Sequence, residues 1–594
     1  MMMIFKPAIA IIALLLLSLS TNAYVTTIHI PAVLETQNLG NLTLVQLNVT
    51  PGTGGVQVNG PSSVDEDTIS SARTAATYAA SYLNLSETGY NFNYTIEDEN
   101  LSVSGPSGGI ALTLLAVAGL QHRQLAQDFT ATGTIAADGS VGLIGGIFDK
   151  SGAAKLGGMR YILVPYAPSS SFEYMLYYIS QQTRNLPIIE VANVSQAVKY
   201  AFGHPALTYL QPNLTQSYNL DIVGNTNITC ASCNNSAFSI LTNFTFDLVQ
   251  GTELSISSNF SVARQQLLSN LDTYKQLVPE GYLYSAANLA FLDYINAFTL
   301  ANADSYNASE ASSLLENLSS YCSSLVPPPL TDSNYEFVIG GKLRQYWANI
   351  TLDTARQLLI NEQTTDDEIQ SIRSAASADG WCSASDAMYT LAAEMGGSYV
   401  DVSPSLKTSA AAAISQARNY RSSIYSQTAV QAYNDGDYAT ALYAASYANV
   451  FGPDIPRNTS ISLLYSQTLH NLTNITSGIW PTQFGAQSEF FFRQSVALNG
   501  SKAMDFALQA HNMAQLASAL AADNAAISAS FTATNYTAGS LQQIALQIEG
   551  LQESVTQIYW MLLLNAALLF FVLVVLLIHI ISTKPRKRIR NVQK

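Results

Sequence analysis

The feature that most constrains this chain is Ile110-Ala111-Leu112-Thr113-Leu114-Leu115-Ala116-Val117-Ala118, an apolar run directly behind Ser104-Gly105-Pro106-Ser107-Gly108-Gly109. A run this apolar reads as a buried helix. Ser107 then stands at or near a helix N-terminus, where free backbone N–H groups can hold an oxyanion. The glycines beside it let a substrate backbone come close to the hydroxyl.

Lys150 follows Ser107 by 43 positions (150 − 107), just after Gly145-Gly146. A serine hydroxyl needs a base to become a nucleophile, and a neutral lysine is one accepted solution. Lysine serves only if burial brings its pKa down toward about 7. Ile147, Phe148 and Ala153 are apolar enough for that; Asp149, if it faces inward, works the other way.

The stretch resembles the proteolytic domain of the Lon family of serine peptidases. The family's GPSAG is here GPSGG, at Gly105 to Gly109. Its TGE-I-x-x-x-G-x-V-x-x-I-G-G-x-x-x-K is here Thr132-Gly133-Thr134-Ile135, then Gly139, Val141, Ile144-Gly145-Gly146 and Lys150. PGTGGVQVNG from Pro51, AAKLGGMRYILVP from Ala153 and LPIIEVANVSQAVKYAFG from Leu186 extend the likeness to both sides. The resemblance implies an α+β domain over residues 24–205, with Ser107 as nucleophile, Lys150 as general base and Thr132 as a hydroxyl that orients the lysine. The backbone N–H of Ser107 or Gly108 would hold the oxyanion. The chain departs from the family at Ser104, where many members carry an acid, and at Thr134, where TGE becomes TGT. It contains no GxxxxGK[ST] pattern, so the resemblance does not extend to an ATPase module, and no cofactor or metal is expected.

Residues 1–23 read as a signal peptide, with Lys6 before an apolar core and a small-residue site at Thr21-Asn22-Ala23. An uncleaved anchor helix is the alternative. Residues 206–245, rich in Asn, Ser and Thr, read as a linker. From about 246 to 535 the pattern turns helical and rich in Ala, Leu, Gln and Ser, an all-α array. Gln431 to Ala448 resembles one tetratricopeptide-type hairpin turning at Gly436-Asp437, without a recurring 34-residue period. The array serves either as a peptide-binding groove or as a spacer. Residues 540–557 read as a coiled-coil-like stalk, with Leu541, Ile544, Ile548, Leu551 and Val555 at alternating spacings of 3 and 4 that continue to Ile558 at the start of the next segment. Residues 558–582 are long and apolar enough for a single transmembrane helix, and the basic tail of 583–594 marks the cytoplasmic side.

A net charge of −15, with six of the cations crowded into the last eleven positions, disfavours nucleic-acid binding. N-x-[ST] triplets at Asn41, Asn84, Asn93, Asn213, Asn307, Asn349, Asn471 and Asn535, among others, suit a glycoprotein outside the cell. Cys230, Cys233, Cys322 and Cys382 allow two disulfides. The expectation is therefore a single-pass cell-membrane protein with its large part outside. It would be an ATP-independent serine endopeptidase acting on peptides or unfolded proteins, and a homo-oligomer gathered by its stalk. The competing readings are an inactive cell-surface scaffold and a redox protein using Cys230 and Cys233.

Overall fold

The computed structural model describes residues 24–34, 39–60, 64–97, 105–213, 235–303, 308–361, 364–402, 404–417, 423–453, 459–473, 475 and 478–533. The signal peptide, stalk, transmembrane segment and basic tail expected from the sequence lie outside them, as do Ser104, Cys230 and Cys233. Among the described residues no helix is long and apolar enough to cross a membrane.

The N-terminal domain is a mixed sheet covered on both faces. Its strands are β1 (Tyr24–Leu34), β2 (Leu39–Pro51), β3 (Val56–Asn59), β4 (Tyr90–Ile96), β5 (Phe129–Ala131), β8 (Tyr161–Pro165) and β9 (Ile188–Val191), in the order β3-β4-β2-β1-β5-β8-β9. β6 (Thr134–Ile135) and β7 (Val141–Gly142) form a small separate hairpin. β4, β2 and β1 pair antiparallel, whereas β1, β5, β8 and β9 run parallel. Parallel neighbours need crossover helices, and the described residues of the domain hold five: α1 (Glu66–Tyr82), α2 (Gly109–Leu120), α3 (Ile147–Leu156), α4 (Phe172–Arg184) and α5 (Val194–Ala201). The α+β expectation thus resolves into an α/β domain.

The two faces follow from the period-two alternation of β8. Tyr161 and Leu163 join the cluster with α1, α2 and α5, while Ile162 and Val164 join the cluster with α3 and α4. α2 is buried along its whole length, as its apolar run predicts. It packs on an alanine stripe of α1, Ala72, Ala75, Ala76, Ala79 and Ala80, whose small side chains allow close approach. α2, which follows Ser107, and α3, which carries Lys150, therefore lie on opposite faces of one sheet.

The remaining described helices form the expected irregular array: α6 (Ser236–Glu253), α7 (Ser261–Lys275), α8 (Leu283–Asn302), α9 (Ala308–Ser324), α10 (Tyr335–Ile360), α11 (Thr365–Glu394), α12 (Leu406–Ala417), α13 (Ile424–Asn434), α14 (Tyr438–Phe451), α15 (Ile461–Thr473), α16 (Ile479–Ala497) and α17 (Gly500–Ala529). α6 begins ten residues before the expected boundary at 246 (246 − 236), inside the stretch read as linker. Asn235 caps it, its side chain accepting from Phe238 N at 3.0 Å. The residue that looked like loop composition is a helix start. Residues 206–213 are no free tether either: Leu210 and Gln211 offer their carbonyls to Gln181 and Tyr174 of α4. The hairpin expected around Gly436-Asp437 is present as α13 and α14, with Asp437 capping α14 through Thr440. A disulfide joins Cys322 of α9 to Cys382 of α11.

The array is not a detached spacer. Ile256, Phe260, Ala263, Leu267, Ala297, Leu300 and Ile369 share one hydrophobic cluster with Ile147, Met175, Leu176 and Tyr178 of the N-terminal domain. Apolar surface common to both parts makes their separation costly, at about 25 cal/mol for each Å² re-exposed.

Candidate active site

Ser107 sits in a single 3-10 turn, Pro106–Gly108, that runs straight into α2. Gly105 opens the turn at φ +94°, a conformation natural to glycine. Three successive carbonyls, of Gly105, Pro106 and Ser107, are held from outside the turn. Thr68 Oγ1 donates to Gly105 O at 3.3 Å, Ser71 Oγ to Pro106 O at 3.4 Å, and Gly133 N to Ser107 O at 2.7 Å. Thr132 Oγ1 also donates to Ser107 O, at 3.2 Å. Asp65 does two jobs at once: one carboxylate oxygen caps α1 through Thr68 N, and the other accepts from Gly105 N at 2.8 Å. The half-buried Ser107 is thus presented on a loop fixed by α1 and by the segment after β5.

Lys150 lies one turn into α3 and is 5% exposed. Its Nζ donates to Gly145 O at 2.9 Å, and among the described residues no carboxylate comes within 4.0 Å of it. Burial pushes the amine down to about 8, against the pull of the Asp366 and Asp149 carboxylates. Backbone beside each candidate residue approaches β1: a Cβ at Gly108 would lie 3.7 Å from Ile30, and one at Gly146 would lie 2.7 Å from Val33. Ser107 and Lys150 are not hydrogen-bonded to each other. The hydroxyl of Thr132, expected to orient the lysine, meets the Ser107 carbonyl instead.

The start of α3 is completed from the helical array, at the first turn of α11. Its N-cap is Gly146, at φ +69° and with no side chain to offer. Asp366, in the first turn of α11, takes that role: Oδ2 accepts from Ile147 N at 2.8 Å and Oδ1 from Phe148 N at 2.9 Å. α3 answers in kind, since Asp149 accepts from Thr365 N at 2.9 Å and from Thr365 Oγ1 at 2.6 Å. Two helix N-termini therefore exchange carboxylate caps, each favoured by the positive end of the other's dipole. Asp149 does face inward, at 6% exposure. Burial pushes the Asp366 carboxyl up to about 6, although its two backbone partners pull it down. Asp65, Thr68, Ser71, Thr365 and Asp366 were not anticipated as parts of this site. Asp65 had a visible signal, an acid before Glu66-Asp67 at a helix start; Asp366 had none, being separated from Ile147 by 219 positions.

The arrangement offers a pinned serine at a helix N-terminus and a buried amine of depressed pKa. Among the described residues no group of three or more His, Cys, Asp or Glu is placed to hold a metal. Residues 28–204 match the family profile described as the Lon protease (S16) C-terminal proteolytic domain. Similar curated proteins are a Lon protease of Desulfatibacillum aliphaticivorans, 35% identical over 98 residues, which are 16% of this chain and 11% of that protein. A Lon protease of Mycoplasma mycoides subsp. mycoides SC is 30% identical over 94 residues, 16% of this chain and 12% of the relative. One from Mesomycoplasma hyopneumoniae is 28% identical over 137 residues, 22% and 15%. The matched stretches thus span between 11% and 15% of these relatives' length.

Proposed function

We propose that the chain, whose residues 28–204 match the Lon protease (S16) C-terminal proteolytic domain, is a serine endopeptidase working through Ser107 and Lys150. The observation that carries the reading is the buried lysine, with no ion pair among the described residues and its pKa near 8. At pH 7.5 an amine of pKa about 8 is neutral in about a quarter of molecules, against about a thousandth at the free value of about 10.4. Burial thus raises the supply of base about two-hundredfold.

In the proposed reaction the neutral Lys150 Nζ keeps one N–H on Gly145 O and turns its lone pair to the Ser107 hydroxyl. Hydrogen bonds of this kind tighten when substrate enters. Oγ attacks the scissile carbonyl as its proton passes to Nζ. The oxyanion is held by backbone N–H groups of Ser107 or Gly108 at the N-terminus of α2, where the helix dipole favours negative charge. The ammonium then protonates the leaving amine, and water hydrolyses the acyl-enzyme with the lysine as base again. Fixing the carbonyls of Gly105, Pro106 and Ser107 keeps those N–H groups aimed before substrate arrives, which is where preorganised electrostatics gain their strength.

With no Walker A pattern in the sequence, we propose ATP-independent cleavage of peptides or unfolded proteins. The apolar segment 558–582 and the basic residues after it support a membrane-anchored, outward-facing protein. Casein or peptide hydrolysis by the full chain tests the chemistry. Ser107→Ala and Lys150→Arg should each be inactive while folding normally, because arginine cannot be deprotonated. Unchanged turnover in either variant would remove the pair from the mechanism. The alternative, an inactive cell-surface scaffold, would show no hydrolysis in the unaltered chain.

A further inference from the structure

The helical array encloses a cavity of about 390 Å³, far from Ser107 in sequence and walled by residues of α6, α8, α10, α11, α13, α14, α16 and α17. Its volume falls in the range of small-molecule sites, roughly 300–1,000 Å³. The lining is mostly aromatic and aliphatic, with Phe238, Tyr284, Trp381 and Phe484 among its walls. One charged residue lines it: Arg344 of α10.

Arg344 is 7% exposed, and among the described residues no carboxylate comes within 4.0 Å of its guanidinium. Among the described residues its one hydrogen bond runs from Nη1 to Gly340 O, 2.9 Å away in its own helix. Two indoles flank it, with Cζ 4.5 Å from the ring centre of Trp480 and 5.7 Å from that of Trp347. Ring faces soften the burial of a cation but do not satisfy its N–H donors. Two more polar atoms on the lining have no hydrogen-bond partner among the described residues: the buried Trp347 Nε1 and Gln487 Oε1. Buried polar groups are ordinarily paired, and an unpaired buried charge is among the costliest features a fold can carry. Here such a charge, an indole N–H and an amide oxygen line one hollow whose remaining wall is mostly aromatic and aliphatic, with Asn288 and Thr245 as further polar members.

We propose that this cavity is a binding site for an apolar monocarboxylate of small-molecule size. The carboxylate would take a forked pair of hydrogen bonds from Arg344, the geometry in which guanidinium recognises carboxylate best. Trp347 Nε1–H would donate to one of its oxygens, and the aromatic wall would bury the hydrocarbon body. Gln487 Oε1 would accept from an amide N–H on a body that carries one. Neutral ligands of the same shape would leave the guanidinium unpaired and bind less well. The carboxylate has two natural sources, a medium-chain fatty acid and the free C-terminus of a short apolar peptide.

Isothermal titration calorimetry on the full chain separates these. The probes are decanoate, decanamide, N-acetyl-Leu-Phe and the C-terminal amide of N-acetyl-Leu-Phe. At least one acid should bind ten or more times more tightly than its own amide, which needs no variant to establish. Arg344→Met should abolish that preference while leaving amide binding in place, and Trp347→Phe should weaken the acid several-fold. A preference confined to decanoate identifies the lipid-like source, and one confined to the peptide acid identifies the peptide source. Equal affinity of both acids and their amides, or no heat from any probe at millimolar concentration, would overturn the proposal. So would an undiminished acid preference in a folded Arg344→Met variant.

Discussion

Replacing Asp366 by Asn tests whether the helical array tunes the lysine of the N-terminal domain. Asparagine preserves the shape and one carbonyl acceptor for the first N–H groups of α3, and removes the charge. Asp366 raises the Lys150 amine, opposing burial. Among the described residues no carboxylate lies within 4.0 Å of Nζ, and two unit charges at an assumed ~6–10 Å interact by about 1.7–2.8 kcal/mol at an effective dielectric of about 20. Divided by about 1.36 kcal/mol per unit, that is about one to two pKa units. At pH 7.5 Asp366, pushed up to about 6, is largely ionised, so the variant loses most of a full charge. The acid limb of kcat/KM against pH should have its midpoint near 8 in the unaltered chain and move down by about one to two units in Asp366→Asn. Near pH 6.5 the variant should therefore be the faster enzyme for each correctly folded molecule. The assay is peptide hydrolysis from pH 5 to 9.5, normalised to the folded fraction by circular dichroism. A purely structural role for Asp366 would lower activity at every pH and leave the midpoint in place. An unmoved midpoint, or one shifted upward, would refute the reasoning.

Stability should carry the same signature with its own sign. Asp366 titrates higher when folded than its ordinary 3.8. Its contribution is then fully present below about 3.8 and lost as pH rises through about 6. Chemical unfolding should show the unaltered chain losing up to about 3 kcal/mol relative to Asp366→Asn between pH 4 and pH 7.5 (a gap of about 2.2 units). Gly146→Ala places a Cβ at φ +69°, 2.7 Å from Val33 Cγ2. It should cost about 2–4 kcal/mol from left-handed strain plus overpacking and should depress hydrolysis by displacing α3, as read by melting and turnover together. Non-reducing peptide mapping should recover Cys322 linked to Cys382, and Cys322→Ala with Cys382→Ala should lower unfolding free energy by about 2–4 kcal/mol.

The sequence made the two candidate chemical groups legible because their signals are local. Ser107 is flanked by glycines ahead of an apolar run, and Lys150 follows a glycine pair with apolar neighbours. The support around them was less legible. α3 buries Ile147, Phe148, Asp149 and Lys150 in succession, so it has no amphipathic period to betray which side faces inward. Whether Asp149 opposed the lysine could not be read without the fold, and its partner Thr365 lies 216 positions away. Thr132 was named only through the family resemblance, and its direction depends on how the segment after β5 passes the Ser107 turn. The linker boundary was misplaced because asparagine serves both loops and helix caps, and only the buried Phe238, Leu241 and Phe246 behind Asn235 decide between them.

The central claim is that Lys150 activates Ser107. A fluorophosphonate probe incubated with the full chain at pH 8, followed by peptide mapping, tests it directly. The label should fall on Ser107 and should be lost or slowed by orders of magnitude in Lys150→Met, a neutral variant of similar length. A label on another serine, or equally fast labelling of Ser107 without the lysine, would contradict the account.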